Sequence, residues 1–240
     1  MLVYIIYIVR TNWLFWFVFP FELFEVWIIK KPEYFEEKQL INSGYQFIAG
    51  IDEVGRGTLA GPVLSASVIF PSGFNSDWFS QIDDSKRLTQ SKRDRLFDLI
   101  NSDALCVSVG SATNDEIDEI GISPATKLSM LRSIKNSKIT PDYLLIDAVT
   151  LDSVHIPQKS IIKGDQISSS IAAASIIAKV TRDQIMVDLD KIYPEYGFGN
   201  HKGYGTKSHM ESITNYGITP LHRKSFEPVK SMVQESKWKK

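Results

Sequence analysis

The stretch that organises this chain is Ile48-Ala-Gly-Ile-Asp-Glu-Val-Gly-Arg-Gly-Thr-Leu-Ala-Gly-Pro62. It predicts a short apolar strand that ends in two adjacent carboxylates, Asp52 and Glu53, at a polar turn. Two acids at the end of a buried strand repel each other and lose hydration unless a proton or a cation compensates them. Carboxylate oxygens are hard ligands that favour Mg²⁺ or Mn²⁺. The stretch therefore predicts a divalent metal site.

A glycine-flanked arginine, Gly55-Arg56-Gly57, follows the two acids. Glycines allow the backbone to approach a ligand closely, and the arginine fork recognises anionic groups. An acid pair beside such a loop indicates phosphodiester chemistry. For the acid pair taken alone, an ordinary strand followed by a solvated turn is the alternative.

The bulk composition sets limits on the class of protein. A chain of 240 residues with 43% hydrophobic and 23% charged residues fits one sizeable α/β domain, with or without a small appendage. The single cysteine, Cys106, excludes an intramolecular disulfide and a multi-cysteine zinc site, and it fits a reducing cytoplasm. The net charge of −1 does not mark a nucleic-acid binder, but residues 200–240 hold eight Lys/Arg against three acids. A basic end facing an acidic metal centre would suit a bound polyanion.

Residues 1–29 are strongly apolar and aromatic. The charges of Arg10, Glu22 and Glu25, together with Pro20, interrupt this run before it reaches the ~20 apolar residues that a membrane span needs. A signal peptide is not evident either, because the start lacks basic residues and a small-residue cleavage site. Three interpretations remain: a membrane anchor, an extra packed element, or an upstream stretch added by a misplaced start.

From Pro32 onward the pattern alternates between strands and helices. Helices are predicted over 33–42, 90–101, a region opening at 114, 125–135 and 165–189. Strands are predicted over 47–51, 64–70, 105–111 and 143–146, with a short one at 161–162. Strands followed by strand–helix alternation predict an α/β mixed sheet flanked by helices.

Two further acids stand where such a sheet can use them. Asp147 ends the apolar run 143–146, and open α/β sheets bind ligands at the carboxyl ends of their parallel strands. A turn or helix-capping aspartate explains Asp147 equally well. Asp183 follows the apolar run 176–182 on the long helix and can reach over the strand ends. The alternative is an ion pair with Lys179, one helical turn earlier, on a solvated face.

Taken together, these strings resemble the signature of ribonuclease HII, the prokaryotic type 2 ribonuclease H family, from about residue 33 to 229. The resemblance implies a ribonuclease H-like fold with a helical C-terminal extension. It also implies metal-dependent hydrolysis of the RNA strand of RNA–DNA hybrids. Single ribonucleotides embedded in duplex DNA would be cut on their 5′ side, leaving 5′-phosphate and 3′-hydroxyl ends.

Domain boundaries follow from the same resemblance. They are an atypical apolar extension over 1–31, a catalytic domain with its C-terminal helical extension over 32–230, and a basic tail over 231–240. Members of the family normally begin close to the region 33–44. A misplaced start is therefore the favoured interpretation of residues 1–29.

The resemblance places the four family acids at Asp52, Glu53, Asp147 and Asp183, with the first three as metal ligands. Four carboxylates can hold two divalent ions, Mn²⁺ or Mg²⁺, about 3.5–4 Å apart, an arrangement that stabilises the attacking and leaving oxygens of an in-line displacement. Successive strand residues point to opposite faces, so Asp52 and Glu53 cannot both face the metals from a regular strand. We therefore expect a strand end or bulge there, or a main-chain role for Glu53.

A protein distinguishes RNA from DNA at one site through the 2′-hydroxyl group. The resemblance assigns this task to Gly55, Arg56 and Gly57, with a tyrosine stacking on the neighbouring sugar. Tyr204, within the string Gly203-Tyr-Gly-Thr206, matches that tyrosine. Thr58 stands where the family usually has proline, which should loosen the turn slightly.

Other polar residues are assigned with less specific patterns. Plausible phosphate contacts are Lys86, Arg87 and Lys207. Three histidines without zinc spacing are interpreted as phosphate neighbours or structural groups: His201, His209 and His222. The implied partner is an RNA–DNA hybrid or a DNA duplex containing ribonucleotides. We expect no obligate protein partner, no membrane association, and a cytoplasmic monomer.

Three alternatives are considered. The sister family, ribonuclease HIII, has a threonine in place of the loop arginine and a substantial N-terminal substrate-binding domain, so Arg56 and the short N-terminus argue against it. A hybrid-binding module without catalysis is disfavoured by the retention of all four acids. A membrane-tethered protein would depend on residues 1–29.

Overall fold

The computed structural model of this protein describes residues 31–238, so the extension predicted over 1–31 lies outside the described residues except for Lys31. Five strands are present in the described part: β1 Ile48–Val54, β2 Val63–Ile69, β3 Cys106–Ala112, β4 Tyr143–Asp147 and β5 Gln158–Ile161. The described helices are α1 Phe35–Asn42, α2 Gln90–Asp103, α3 Asn114–Ile120, α4 Ile122–Lys135, α5 Ser169–Ile192, α6 Phe198–His201, α7 Lys207–Tyr216 and α8 Val229–Trp238.

The five strands form one mixed sheet in the order β3-β2-β1-β4-β5. The first three strands in sequence are an antiparallel meander, since β1 pairs with β2 and β2 with β3 in antiparallel fashion. β4 and β5 then extend the other side of β1 as parallel strands. The predicted α/β mixed sheet is confirmed. The carboxyl ends of β1 and β4 lie side by side at one edge, where ligands bind in open α/β sheets.

Helices cover both faces of the sheet because the strand residues alternate between two apolar surfaces. Leu64, Ala66 and Val68 of β2 pack with residues of α2 and α5. On the opposite face, α4 packs on the sheet, where the hydroxyls of Ser65 and Ser129 lie 2.6 Å apart. The structure is therefore a three-layer sandwich, and α6, α7 and α8 follow it as a helical C-terminal extension.

Helix α5 lies directly on the backbone of β1 at Gly50. A Cβ atom at Gly50 would overlap the carbonyl carbon of Ser170. The start of α5 is fixed by Ser168, whose hydroxyl accepts a hydrogen bond from the N–H of Ile171 at 3.2 Å. The close contact between Gly50 and Ser170 holds α5 against the strand that carries Asp52.

Several element boundaries differ from the sequence prediction, and two of them affect the position of acids. β1 runs through Val54, so Asp52 and Glu53 lie within the strand and not in a following turn. The helix predicted from residue 165 begins only at Ser169, because Gly164–Gln166 forms a separate single turn of 3-10 helix. Part of the predicted tail over 231–240 belongs to α8. None of the helices in the described range is long and apolar enough to cross a membrane.

Candidate active site

Three carboxylates converge at the carboxyl ends of β1 and β4. One oxygen of each of Asp52, Glu53 and Asp147 lies within 4.8 Å of the others. Asp52 is buried, and the other two acids are partly exposed. The three predicted metal ligands are therefore brought together by neighbouring parallel strands.

The strand presents both adjacent acids without a bulge. Its register with β2 is continuous from Ala49 to Val54, whereas its pairing with β4 stops at Ile51. The acids thus lie within β1 but beyond the end of its parallel ladder, so neither the expected strand end nor the expected bulge is found there. The N–H of Glu53 donates to Asp52 Oδ1 at 2.7 Å, so the Asp52 carboxylate is tied to its neighbour's main chain.

A fourth acid, Asp165, lies in the same cleft. The N–H of Gly164 donates to Asp147 Oδ1 at 2.7 Å, and this bond anchors the short turn that carries Asp165. Burial, followed by the charges of Asp84 and Asp147, raises the pKa of Asp165 to about 6. Sequence reasoning missed this residue because it was counted as the first residue of the long helix. The available signals were the glycine before the acid and the helix-capping serine at 168.

The structure does not bring Asp183 to these acids, and this corrects its sequence-based assignment. Asp183 lies well along α5, and its Oδ1 accepts a hydrogen bond from Lys179 Nζ at 2.8 Å. It lines a different cavity, between α2 and α5. The i, i+4 ion pair that the sequence offered as the alternative is the observed arrangement.

The cluster is electrostatically unfavourable without a cation. Burial, and then the charges of Glu53 and Asp147, raise the pKa of Asp52 well above its usual range. Burial raises the pKa of Glu53 despite the opposing charge of Arg56. Burial likewise raises the pKa of Asp147, although the N–H of Gly164 opposes it. These acids are held together at a cost that a bound cation would remove.

The donor set fits a divalent metal ion. Glu53 Oε2 is buried and forms no hydrogen bond with any described residue. An orphaned buried carboxylate oxygen beside two further carboxylates is a ready ligand for a hard cation. Asp52, Glu53 and Asp147 would hold the ion, and Asp165 lies in the same cleft.

The acids line a cleft of about 350 Å³ that also includes the predicted substrate-binding residues. Its other lining residues include Gly55, Arg56, Gly57, Lys86 and Tyr204. The side chain of Arg56 is 45% exposed and lies 3.4 Å from Glu53 Oε1, and Tyr204 is 41% exposed. An open cationic and aromatic wall therefore faces the acidic end of the cleft.

The loop after β1 has a conformation that leaves donors free. Gly55 has φ +89, and a Cβ there would overlap the guanidinium of Arg182. Within the described part of the chain, the N–H groups of Arg56 and Gly57 make no hydrogen bond. Thr58 is buried, and its hydroxyl donates to Gly55 O at 3.1 Å. The hydroxyl thus braces the loop that the absence of proline was expected to loosen.

The remaining residues that were predicted to contact phosphate lie in different parts of the structure. Lys86 lines the cleft, whereas Arg87 contacts Asp83 and Gln166. Lys207 is exposed beside Glu211. The three histidines pack together, with His209 and His222 fully buried and their Nε2 atoms 3.1 Å apart, so these two are structural groups.

Known structures share this architecture. The ribonuclease H2 from Pyrococcus horikoshii OT3 superposes with a TM-score of 0.67 at 25% identity, over 80% of this chain and 99% of that one. The RNase HII of the PCNA:RNase HII complex from Archaeoglobus fulgidus gives 0.62 at 23% identity, over 75% and 95%. Bst-RNase HIII in complex with Mn²⁺ gives 0.57 at 20% identity, over 81% and 71%. The fold and the acidic cluster define a nuclease of the ribonuclease H class.

The sequence places the chain within that class. The family model for ribonuclease HII matches residues 49–229, and the chain belongs to the ribonuclease HII family. The ribonuclease HII of Desulfitobacterium hafniense (strain DSM 10664 / DCB-2) is 54% identical over 198 residues, 82% of this chain and 75% of that protein. That of Clostridioides difficile (strain 630) is 52% identical over 190 residues, 79% and 73%. The protein is therefore a ribonuclease H, a hydrolytic endonuclease of a family that acts on RNA–DNA hybrids.

Proposed function

We propose that this protein cuts the phosphodiester on the 5′ side of a ribonucleotide embedded in duplex DNA, as well as bonds within RNA–DNA hybrids. The products would carry 5′-phosphate and 3′-hydroxyl ends, and the role would be removal of ribonucleotides from DNA. The observation that carries the proposal is one cleft that joins Asp52, Glu53 and Asp147 to Arg56 and Tyr204. Such a cleft can hold a scissile phosphate against carboxylates while its wall contacts the adjoining sugar.

The acids would hold divalent ions, Mn²⁺ or Mg²⁺. We assign Asp52, Glu53 and Asp147 as ligands and Asp165, in place of Asp183, as the fourth acid. Bound divalent ions would neutralise phosphate charge and lower the pKa of a water molecule in the cleft. The unpartnered Oε2 of Glu53 and the raised pKa values of the acids support this assignment.

The chain itself positions the substrate. The free N–H groups of Arg56 and Gly57 would donate to the 2′-hydroxyl and the adjoining phosphate, which only a ribonucleotide can satisfy fully. The ring of Tyr204 would stack on the neighbouring sugar. Lys86, which lines the cleft, would contact a phosphate oxygen. These contacts fix one nucleotide with its phosphate at the acids.

The remaining assignments complete the proposal. Residues 32–230 would form the catalytic domain, and the protein would act in the cytoplasm as a monomer without an obligate protein partner. The segments 1–31 and 231–240 would lie outside the catalytic machinery. Deleting residues 1–31 should leave the rate of cleavage unchanged.

The deciding experiment is cleavage of a DNA duplex that contains one ribonucleotide, with Mg²⁺, with Mn²⁺ and with EDTA. Metal-dependent cutting 5′ of the ribonucleotide, lost in Asp147→Asn, is the expected result. Cutting of long hybrids without cutting at the single ribonucleotide would contradict the proposed specificity. Tight binding without cutting in any metal would contradict the assignment of the acids.

A further inference from the structure

Two adjacent buried residues, His222 and Arg223, lie behind the cleft without lining it. The segment that contains them runs alongside the loop after β1. His222 forms an antiparallel bridge with Ala60, and the N–H of Arg223 donates to Leu59 O at 2.9 Å. The two side chains run to different elements. The side chain of Arg223 extends to the glycine-arginine-glycine loop, and the side chain of His222 extends towards Tyr204.

The guanidinium of Arg223 binds the carbonyl oxygens of the loop. It donates to the oxygens of Gly55 at 2.6 Å, Arg56 at 2.9 Å and Gly61 at 2.9 Å. Burial, and then the charge of Arg182, lower the pKa of Arg223 to about 9, so the group remains charged at neutral pH. Within the described part of the chain no carboxylate forms an ion pair with it. A buried charge without a counter-ion is unfavourable for stability. The carbonyl oxygens of the loop are the groups that compensate the charge of Arg223.

The ring of His222 reaches Tyr204 through a second histidine. The N–H of Thr219 donates to His222 Nδ1 at 2.9 Å, so a neutral His222 carries its proton on Nε2. That nitrogen lies 3.1 Å from His209 Nε2, and His209 Nδ1 lies 2.9 Å from Tyr204 O. In the neutral tautomers, His222 Nε2 donates to His209 Nε2, and His209 Nδ1 donates to the main-chain oxygen of Tyr204.

We propose that His222 and Arg223 are positioning residues that clamp the loop of Gly55, Arg56 and Gly57 and the tyrosine Tyr204 at one fixed separation. The clamp would set the preference for a ribonucleotide, because recognition of a single hydroxyl requires its donors and the stacking ring to be held within about 0.5 Å. The segments that carry the two recognition elements also contact each other, since the N–H of Leu59 donates to Gly203 O at 2.8 Å. The inference rests on the proposed function, in which these elements contact the ribonucleotide.

The test measures binding to a DNA duplex with one ribonucleotide and to the same duplex made only of deoxynucleotides, both in EDTA, by fluorescence anisotropy. The ratio of the two dissociation constants is independent of the fraction of folded protein, so a merely structural role would not change it. Arg223→Lys keeps the charge but loses the planar fork. We expect about tenfold weaker binding of the ribonucleotide duplex and unchanged binding of the DNA duplex. Arg132→Lys, at an arginine that pairs with Glu116 away from the cleft, is the control for the same substitution outside the clamp.

A pair of variants at His209 tests the second arm and covers the case in which Arg223→Lys does not fold. Asparagine places an amide nitrogen near the position of Nδ1 and can still donate to Tyr204 O, whereas glutamine places it near Nε2 and cannot. His209→Asn loses the contact with His222 and His209→Gln loses the contact with Tyr204, so we expect both variants to lower the preference for the ribonucleotide duplex. An unchanged preference in folded Arg223→Lys, His209→Asn or His209→Gln would overturn the clamp. A wild-type protein without any preference would instead contradict the proposed substrate recognition.

Discussion

The N–H of Gly164 donates to Asp147 Oδ1 at 2.7 Å, joining the end of β4 to the turn before α5. One hydrogen bond thereby fixes the position of one acid and of the turn that delivers another, Asp165. Both acids then line the same cleft as Asp52 and Glu53. In the proposed four-acid centre, β1 and β4 supply three acids and one turn supplies Asp165, and the long helix supports the centre without contributing Asp183.

This arrangement predicts different roles for two aspartates. Asp165→Asn should lower kcat/KM for a ribonucleotide-containing duplex by about 100-fold, because it removes a charge from the metal centre. Asp183→Asn should leave kcat/KM within about threefold and lower the free energy of unfolding by only about 0.5 kcal/mol, as expected for an i, i+4 ion pair. Steady-state cleavage and urea unfolding check both variants. The opposite ranking of activities would restore Asp183 as the fourth acid.

Asp52 is expected to reduce the stability of the metal-free protein. Asp52→Asn removes a buried negative charge beside Glu53 and Asp147 and retains an oxygen that can accept from the N–H of Glu53. The variant should be more stable than the wild type in EDTA by about 1 kcal/mol, and it should be inactive. Addition of Mn²⁺ should raise the thermal midpoint of the wild type more than that of the variant. Equal stability of the two proteins in EDTA would show that the acids do not repel.

Metal affinity should fall as the pH is lowered through about 6. The pKa values of Asp52 and Asp147 are raised, and that of Asp165 is raised to about 6, so protons compete with the cation in mildly acidic solution. Titration calorimetry with Mn²⁺ at pH 7.5 and pH 5.5 should show at least about tenfold weaker binding at the lower pH. Binding should release protons, which two buffers of different ionisation enthalpy would reveal. Affinity independent of pH would mean that the acids are already ionised.

The buried histidine pair should make stability depend on pH. Burial lowers the pKa of His209 and of His222 from 6.5 to about 4. Between pH 6.5 and 4 the unfolded chain therefore binds protons that the native protein does not. The contribution to stability is complete above pH 6.5 and is lost as the pH falls, by about 1.4 kcal/mol per pH unit for each histidine.

His222→Asn isolates this effect, because its side-chain oxygen can still accept from the N–H of Thr219. Urea unfolding at pH 7 and pH 5 should show a smaller loss of stability in the variant than in the wild type. The acids of the cleft have the opposite pH dependence, but they are the same in both proteins and cancel in the difference. Parallel pH profiles would mean that His222 is protonated in the native state.

Much of this architecture could be predicted from the sequence because its strands and helices carry simple periodic signals. The acids of β1, the acid that ends β4 and the mixed sheet all followed from such patterns. Asp165 did not, because its turn merges into the apolar pattern of α5. The serine at 168 that caps the helix was the signal that separated the two.

The burial of charged side chains was the other feature that could not be predicted from the sequence. Arg182 and Arg223 are fully buried, and neither forms an ion pair with an acid among residues 31–238, whereas a sequence pattern counts arginine as a surface residue. Arg223 was accordingly counted in the basic end expected to face a polyanion, but its charge is directed at main-chain carbonyls. Only the folded path of the loop after β1 creates the set of oxygens that accepts it.

The contact of Gly50 with Ser170 also restricts how this protein can change over generations. Every single-nucleotide change in a glycine codon that replaces the residue adds at least a Cβ atom, and at Gly50 that atom would overlap the helix main chain. Asp52 lies two residues further on the same strand, so lifting α5 would damage stability and the acidic centre together. We therefore expect Gly50 to stay fixed, because a replacement at this position would reduce both stability and activity.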